Sequence, residues 1–569
     1  MNVRTLMPDF SWIGDYDGRA ALADGIAGTI LAILLIPQVM AYAQLAGLPP
    51  ETGLYAALLP PVLYLLFGTS PFVSVGPVAL ISLVIAEAAS GSGVQPAAAA
   101  AIIAIQSGTI LAVLGAFGLG RLVNFVSEPV LLGFTAAVAI LIFTSQLPTL
   151  VGTNPERAGN LPAALREFLE VLPDWQPMTA AIGAAAAVLL FALDRYAAPA
   201  AWKIGIRPPW RQAIAKSLPL LVIIGAAFVA GNFADTVARV EAPSGGLPSV
   251  ALPPLDPALW LKLLPSGLAV AVVTFVTATA VAKSLAGSDR SELDTSREAL
   301  ALGLGNVGAA MSGGYAVGAS LSRSALVEDS GAKSPFASVI AASLVLATIF
   351  FLAPLLGYLP KTALAALVIS AVFGLVKLRE MRDVWHHDRY EGVIIAIAFT
   401  ATLALGVELG LLVGALAAAA HHLWFSSLPR VTRVGTNDDG ESFRSVDRDS
   451  IEPSDDPALV VRVDRSIFFA NAAFIEDAVF SQLGKHEGID CLVLDMRAVN
   501  AVDASGVAML KRLVQRLYEG GIEVRLAAAH QPVKDSLATL NSQQCSFHRT
   551  VKEALDACGI DYRKDIAPT

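Results

Sequence analysis

Between residues 299 and 327 the chain carries a single charge, Arg323, with hydroxyls close by at Ser320, Ser322 and Ser324. At membrane depth a guanidinium is costly unless it faces a cavity, a partner or a substrate. The segment has a counterpart 242 residues earlier. Ala316-Val317-Gly318-Ala319-Ser320-Leu321-Ser322 runs to Glu328-Asp329, and Ser74-Val75-Gly76-Pro77-Val78-Ala79-Leu80-Ile81-Ser82 runs to Glu87. Each opens with a Val-Gly step and holds only about ten residues before a carboxylate, too few to cross a bilayer. Both read as a short extended stretch leading into a half-helix, with an N-terminus near Ser320 placing Arg323 on the first turn. Half-helix N-termini present unpaired N–H groups and about half a positive charge, so two facing each other make an anion site. The alternatives are glycine-bearing helices that only pack closely, with Arg323 in an ion pair with Glu87 or Glu328 or snorkelling to the interface.

The elements that position these segments are spans. Of 569 residues 55% are hydrophobic and 15% charged, with mean hydropathy +0.62, which excludes a soluble or disordered chain. Residues 431–569 hold 38 of the 87 charged residues, so a lipid-dissolved part precedes a water-soluble one. Windows such as 25–50, 52–86 and 88–120 contain no charge. In all, about 14 transmembrane segments are expected. After each paired segment comes a long apolar helix and then Phe125-Val126-Ser127-Glu128-Pro129-Val130-Leu131 or Tyr358-Leu359-Pro360-Lys361-Thr362-Ala363-Leu364. Two halves of about seven helices follow, and an odd number per half inverts one relative to the other, the 7+7 inverted repeat of secondary transporters. Loops 194–216 (Arg195, Lys203, Arg207, Arg211, Lys216) and 377–391 (Lys377, Arg379, Arg382, Arg389) are the basic ones. They and both termini are expected in the cytoplasm. Residues Met1 to Arg19 read as no signal peptide. The net charge of −9 offers nucleic acid nothing.

The residues then match a family. Asp24-Gly25-Ile26-Ala27-Gly28, Ile36-Pro37-Gln38, Ala41-Tyr42-Ala43, Ala46-Gly47-Leu48-Pro49-Pro50, Gly53-Leu54-Tyr55, Phe67-Gly68-Thr69-Ser70 and Ser74-Val75-Gly76-Pro77 together resemble the SulP family of sulfate permeases and anion exchangers. The resemblance continues through Gly303-Leu304-Gly305-Asn306 and Leu321-Ser322-Arg323-Ser324 and ends in a C-terminal STAS domain. It implies a mobile core and a gate scaffold, usually dimeric, moving anions in an elevator-like motion. It also puts Gln38, Tyr42, the backbone at Gly76, Pro77 and Val78, and Ser320, Ser322 and Arg323 around the anion. Gln38 and Tyr42 lie four apart on one helix face, so an amide and a phenol can share a cavity; packing contacts are their other reading. Thr277 stands where many relatives carry a carboxylate that is a candidate for cation or proton coupling. The coupling ion is therefore open, with Thr277 and Glu87 as candidate positions.

In the polar tail, 431–456 reads as a linker or edge hairpin turning at Asn437-Asp438-Asp439-Gly440, and 457–560 as the STAS domain after a transport domain spanning 1–430 (repeats about 20–235 and 262–428). Ala458–Val463, Ile489–Leu494 and Val524–Ala528 read as buried strands; Ala472–Leu483, Ser505–Tyr518 and Val533–Leu540 as helices. Val502-Asp503-Ala504-Ser505-Gly506 resembles the loop in which a STAS serine can be phosphorylated, making Ser505 a candidate regulatory site at a helix cap. Cys491, Cys545 and Cys558 suggest neither a disulfide framework nor a metal site. Gly303-Leu304-Gly305-Asn306-Val307-Gly308 spells a dinucleotide fingerprint but follows no strand, so it reads as helix packing. Histidine is absent before His386. No cofactor, metal or catalytic constellation is expected. The chain reads as a multi-pass inner-membrane transporter of inorganic anions, sulfate first, with lipid, a second copy and an unidentified STAS partner around it. Bicarbonate or a small dicarboxylate is the rival cargo, and an anion-sensing receptor signalling through STAS is the rival class.

Overall fold

The computed structural model of the chain describes residues 7–8, 11–14, 16–125, 127–153, 159–205, 210–233, 236–243, 246, 253–286, 293–435, 443–446, 457–540 and 544–559. The turn expected at Asn437-Asp438-Asp439-Gly440, and Val126 and Arg207, lie outside the described residues. Two compact units divide between Ala418 and Ala419.

The first unit is helical because its sequence is long Ala/Leu/Ile/Val runs punctuated by caps and prolines. Asp17 caps α1 (Gly18–Leu45) by accepting from Arg19 N and Ala20 N; Asp256 caps α10 (Pro257–Leu285) and Asp294 caps α11 (Thr295–Met311). Each supplies an oxygen to first-turn N–H groups that have no partner within the helix. Proline opens α5 (Pro96–Ala116) at its first position and α6 (Glu128–Val151) within its first two, where a missing N–H costs nothing. Among the described residues seven helices are long and apolar enough to cross a bilayer, and shorter apolar stretches lie at Ala79–Ser90, Ser217–Gly231 and Phe336–Phe351; α7 (Leu161–Val171), α8 (Pro177–Lys203) and α9 (Trp210–Gly231) precede α10, and α13 (Phe336–Phe351), α14 (Ala353–Leu356), α15 (Lys361–Phe373), α16 (Leu378–His387) and α17 (Arg389–Leu405) come late in the unit. The charge-free window 52–86 is not one continuous span. It is built from most of α2 (Pro50–Ala56), all of α3 (Leu59–Phe67), an extended stretch and the start of α4 (Ala79–Ser92).

The expected half-helices are present. Short strands β1 (Val75–Gly76) and β2 (Gly318–Ala319) pair antiparallel in the middle of the unit, Val75 opposite Ala319 and Gly76 opposite Gly318. They lead into α4 and into α12 (Leu321–Asp329). Small residues let the supporting helices close in. A Cβ on Gly303 of α11 would lie 2.7 Å from Gly108 O of α5, so the fingerprint-like glycines serve backbone contact between two helices.

The second unit contains a six-stranded sheet ordered β4-β3-β5-β6-β7-β8. β3 (Val431–Gly435) pairs antiparallel with β4 (Arg444–Ser445) and with β5 (Ala458–Val463), which makes an edge hairpin of part of the linker range. β5, β6 (Cys491–Asp495), β7 (Glu523–Ala527) and β8 (Cys545–His548) run parallel. Ile475, Val479, Met509 and Leu513 from the helices Ala472–Leu483 and Ala504–Glu519 share a buried cluster with Leu459, Leu492 and Leu494 of the sheet. Val551, Ala554 and Leu555 of the last helix, Val551–Ala557, share another with Val460 and Val493. That last helix and β8 were not among the sequence expectations. They also correct the reading of the cysteines: Cys558, capping the helix, is disulfide-bonded to Cys491 at the start of β6, with Cα atoms 6.5 Å apart. The pair is 67 residues apart in sequence, a separation that only the packing of the last helix over the sheet brings together. Cys545 is free and buried.

Candidate functional site

β1 and β2 pair where both half-helices begin, and side-chain hydrogen bonds hold the crossing. Ser74 N donates to Ser324 Oγ at 2.9 Å. Tyr315 Oη and Ser82 Oγ lie 3.2 Å apart. Asn306, on α11, donates from Nδ2 to Val317 O at 3.1 Å and accepts from Val317 N at 2.9 Å. Arg323 Nη1 donates to Pro77 O at 2.8 Å and to Gln38 Oε1 at 3.4 Å.

Arg323 is fully buried. Its Nε and Nη2 have no hydrogen-bond partner, and none of the ion pairs among the described residues involves it. The expected alternative of an ion pair with Glu87 or Glu328 is therefore not what the structure contains. A Cβ on Gly76 would sit 3.5 Å from Nη2, so the glycine leaves the guanidinium room beside the strand.

Next to this crossing is a cavity of about 830 Å³. Its wall takes Gln38 and Tyr42 from α1, Val78, Ala79 and Leu80 from the start of α4, Ser320, Leu321 and Ser322 from the start of α12, and Thr277 from α10. Gln38 Nε2 donates to Tyr42 Oη at 2.9 Å, as four-residue spacing on a helix allows. Val78 precedes α4 without any side-chain cap, so the first-turn N–H groups depend on a partner from outside the helix. Ser320 caps α12 by accepting from Arg323 N at 3.4 Å, and Leu321 and Ser322 of that first turn are on the cavity wall. Two positive helix ends thus open onto one cavity, with a buried guanidinium, in no ion pair among the described residues, on the first turn of one of them, an arrangement that attracts an anion. Arg323 itself is not among the lining residues; it reaches the cavity wall through Gln38, whose Oε1 accepts from it.

Thr277 lines the cavity with its hydroxyl donating to Val273 O at 2.7 Å. Glu87 does not line it. It lies just past the middle of α4, which continues to Ser92 rather than ending at the carboxylate, and its Oε2 accepts from Val407 N at 3.1 Å.

Sequence reasoning did not single out Asn306, Tyr315, Ser82 or Ser324 as site supports. It also passed over two fully buried carboxylates. Glu298 accepts from Tyr64 Oη at 2.8 Å and from Thr69 N and Oγ1 at 2.8 and 2.6 Å. Asp24 accepts from Lys333 N, Ser334 N and Ser334 Oγ at 2.6, 3.2 and 2.6 Å. The available signal was their place beside or inside apolar runs, where a charge must be satisfied.

Comparison with known proteins bears on this geometry. The profile of the family described as "Sulfate permease family" matches residues 22–398, and that of the STAS domain matches 450–554. The chain belongs to the sulfate permease family. It is 30% identical to "Sulfate transporter 4.1, chloroplastic" of Arabidopsis thaliana over 98% of its own length and 83% of the relative's. It is 28% identical to "Low affinity sulfate transporter 3" of Stylosanthes hamata over 97% and 90%. In fold this permease-family chain is similar to murine Slc26a9, described as an anion transporter in the inward-facing state, with TM-score 0.89 and 20% identity, covering 98% of this chain and 95% of that one. The transmembrane domain of the cyanobacterial bicarbonate transporter BicA matches 71% of this chain and 98% of its own with TM-score 0.58 and 18% identity. The protein is thus a multi-pass membrane member of this family with a C-terminal STAS domain.

In the STAS domain the cap assigned to Ser505 belongs to Asp503, whose Oδ1 accepts from Gly506 N at 2.8 Å. Aspartate caps as well as serine and comes two residues earlier. Ser505 is the second residue of the helix Ala504–Glu519 and is exposed.

Proposed function

We propose that this protein is a secondary transporter that carries an inorganic anion, sulfate foremost, across its membrane by alternating access with an elevator-like movement of the elements around the half-helices. The observation that carries the reading is Arg323, a buried guanidinium with two unpartnered nitrogens and no carboxylate paired to it, set where two half-helix N-termini open onto one cavity. A buried charge of this kind calls for a counter-charge, and a mobile anion in the cavity supplies it without a permanent ion pair that would compete with cargo. The named sulfate transporters among the relatives support sulfate as first choice. In this reading Gln38, Tyr42, Ser322 and the N–H groups following Val78 and Ser320 hold the anion. Gly76 and Pro77 support Arg323, and Ser505 marks a regulatory surface. The cavity rim holds Lys283 and Lys377, on the face that the basic loops assign to the cytoplasm. The protein is proposed to work as a homodimer in a plasma-type membrane with both termini cytoplasmic.

The test is uptake of radiolabelled sulfate into liposomes containing the purified chain, with bicarbonate and a small dicarboxylate as competitors. Saturable uptake blocked by unlabelled sulfate is expected. Sulfate binding with no flux would instead make the protein a receptor, and preferential block by bicarbonate would change the cargo.

A further inference from the structure

The rim of the cavity lies at one end of α10, at Lys283 and the exposed Ala280. Toward the other end, eleven residues before Thr277 and about 16 Å along the helix, the buried Ser266 donates from Oγ to Glu408 Oε1. Glu408 is in the first turn of α18 (Val407–Ser427). At the same helix end Glu87 of α4 accepts from Val407 N. Both contacts therefore join elements that wall the candidate site, α4 and α10, to one helix start. α18 in turn packs with α6, which also lines the cavity through Leu131 and Thr135: a Cβ on Gly414 of α18 would lie 3.1 Å from Val130 Cγ1. The residue before α18 is built for the contact. Gly406 has φ 93°, which disfavours a side chain, and a Cβ there would collide with Glu87 Oε1 and lie 2.8 Å from Gly159 O.

We propose that Glu87 and Glu408, with Val407 N and Ser266, form a latch that keeps the cavity closed on the face remote from its rim. The proposal rests on the alternating-access reading: an anion can leave on the remote face only after α4 and α10 part from α18, and these two hydrogen bonds are what must break. Glu87 then has a gating task rather than a place beside the anion, and Gly406 is needed because any side chain would displace the Glu87 carboxylate from the helix end it caps.

The test uses the full-length Ala280→Cys chain in lipid nanodiscs without anion, treated with a bulky maleimide that reaches position 280 while the rim is open; the unsubstituted chain gives the background from its own cysteines. Weakening the latch shifts the population away from the rim-open state. Glu87→Ala and Ser266→Ala are each expected to slow labelling about threefold or more, whereas Glu87→Gln, which keeps an acceptor for Val407 N, labels at a rate close to that of the parent. Ser266→Ala leaves α4 and its carboxylate untouched, so it answers for the latch if Glu87→Ala does not fold. Labelling of monodisperse Glu87→Ala and Ser266→Ala chains at the parental rate overturns the latch. Because no anion is present, slowed labelling in chains whose parent shows no sulfate flux would support the latch while defeating the transport reading.

Discussion

Asn306 holds Val317 by both of its backbone polar groups, donating to the carbonyl at 3.1 Å and accepting from the N–H at 2.9 Å. One side chain does for this unwound segment what a neighbouring strand does in a sheet. The next two residues, Gly318 and Ala319, pair with Gly76 and Val75, so the amide sets the register at which the half-helices meet. Asn306 is fully buried and also bonds Leu302 O of its own helix at 2.9 Å, which locks its orientation.

Replacing Asn306 by alanine leaves the buried N–H of Val317 without a partner, at about 1–3 kcal/mol, while Val317 O keeps the Thr274 hydroxyl at 3.4 Å. Asn306→Ala is expected to lower the thermal midpoint and to raise KM for sulfate about tenfold through a misplaced crossing. Asn306→Asp keeps the acceptor for Val317 N and should recover part of the KM. A lowered midpoint with parental KM would show that Asn306 supports the fold without positioning the site.

Arg323 contributes charge and a planar fork together. Arg323→Ala removes both, and loss of a charge-assisted interaction worth about 1.5–3 kcal/mol corresponds to about tenfold or more in anion affinity. Arg323→Lys keeps the charge but loses the Nε and Nη2 donors that have no partner among the described residues, so it should recover binding only in part. Calorimetric titration with sulfate reads both variants. Parental affinity in a folded Arg323→Ala chain would remove the guanidinium from the site.

What could be read from the residue order was whatever depends on neighbours in the chain. Ser320 before Leu321 announced a cap, the Val-Gly steps announced extended backbone, and Gln38 and Tyr42 four apart announced a shared face. Asn306 stood in a quoted motif, yet its partner lies eleven residues on, past a helix end at Met311, and only the fold turns that segment back. Asp24 and Glu298 looked like span boundaries because a charge ends an apolar window, although each is buried and held by distant donors, Asp24 by Lys333 and Ser334 and Glu298 by Thr69 and by Tyr64 of α3. Four-residue β8 and seven-residue Val551–Ala557 are too short for periodicity to distinguish from loop, which also hid the approach of Cys558 to Cys491.

That approach is countable. In the absence of reductant the denatured chain should titrate one thiol, Cys545, and after reduction three, since Cys491 and Cys558 are bonded to each other. Three reactive thiols without reductant would show that the two cysteines are close but unlinked.

The STAS domain should weaken in mild acid. His548 Nε2 faces Ser546 Oγ at 2.8 Å and Arg525 Nη1 at 3.4 Å. Partial burial, then the Arg525 charge, hold its pKa below the usual histidine value, with Glu553 opposing. Above a pH of about 6.5 the ring is neutral in both folded and unfolded chains and contributes no slope. Below it the unfolded ring binds a proton that the folded ring refuses, so stability falls as pH falls. Thermal melts of the full chain between pH of about 7.5 and 5.5 should show the STAS transition moving down, and His548→Gln should lessen the decline. An identical slope in that variant would assign the effect elsewhere.

Coupling follows from what lines the cavity. Near the half-helix ends the lining offers Gln38, Tyr42, Ser320, Ser322 and Thr277, and its ionisable residues Glu128, Lys283, Lys377 and Glu380 come from the ends of α6 and α10 and from beyond α15 (Lys361–Phe373). A threonine hydroxyl cannot take up and release a proton near neutral pH, and that of Thr277 is already donated to Val273 O. Uptake of sulfate into liposomes at clamped membrane potential is therefore expected to depend only weakly on an inward proton gradient. Thr277→Ala should change this little, since no proton site is lost. Thr277→Glu places a carboxylate on the cavity wall beside the proposed anion, where like charges repel. Its proton would then have to be bound for sulfate to enter, so that variant should be slow at pH of about 7.5 and recover on acidification. Strong stimulation of the parent chain by the gradient, abolished by a protonophore and retained in Thr277→Ala, would defeat the uncoupled reading. It would also move the proton to a carboxylate away from the anion, with Glu87 the first to replace by glutamine.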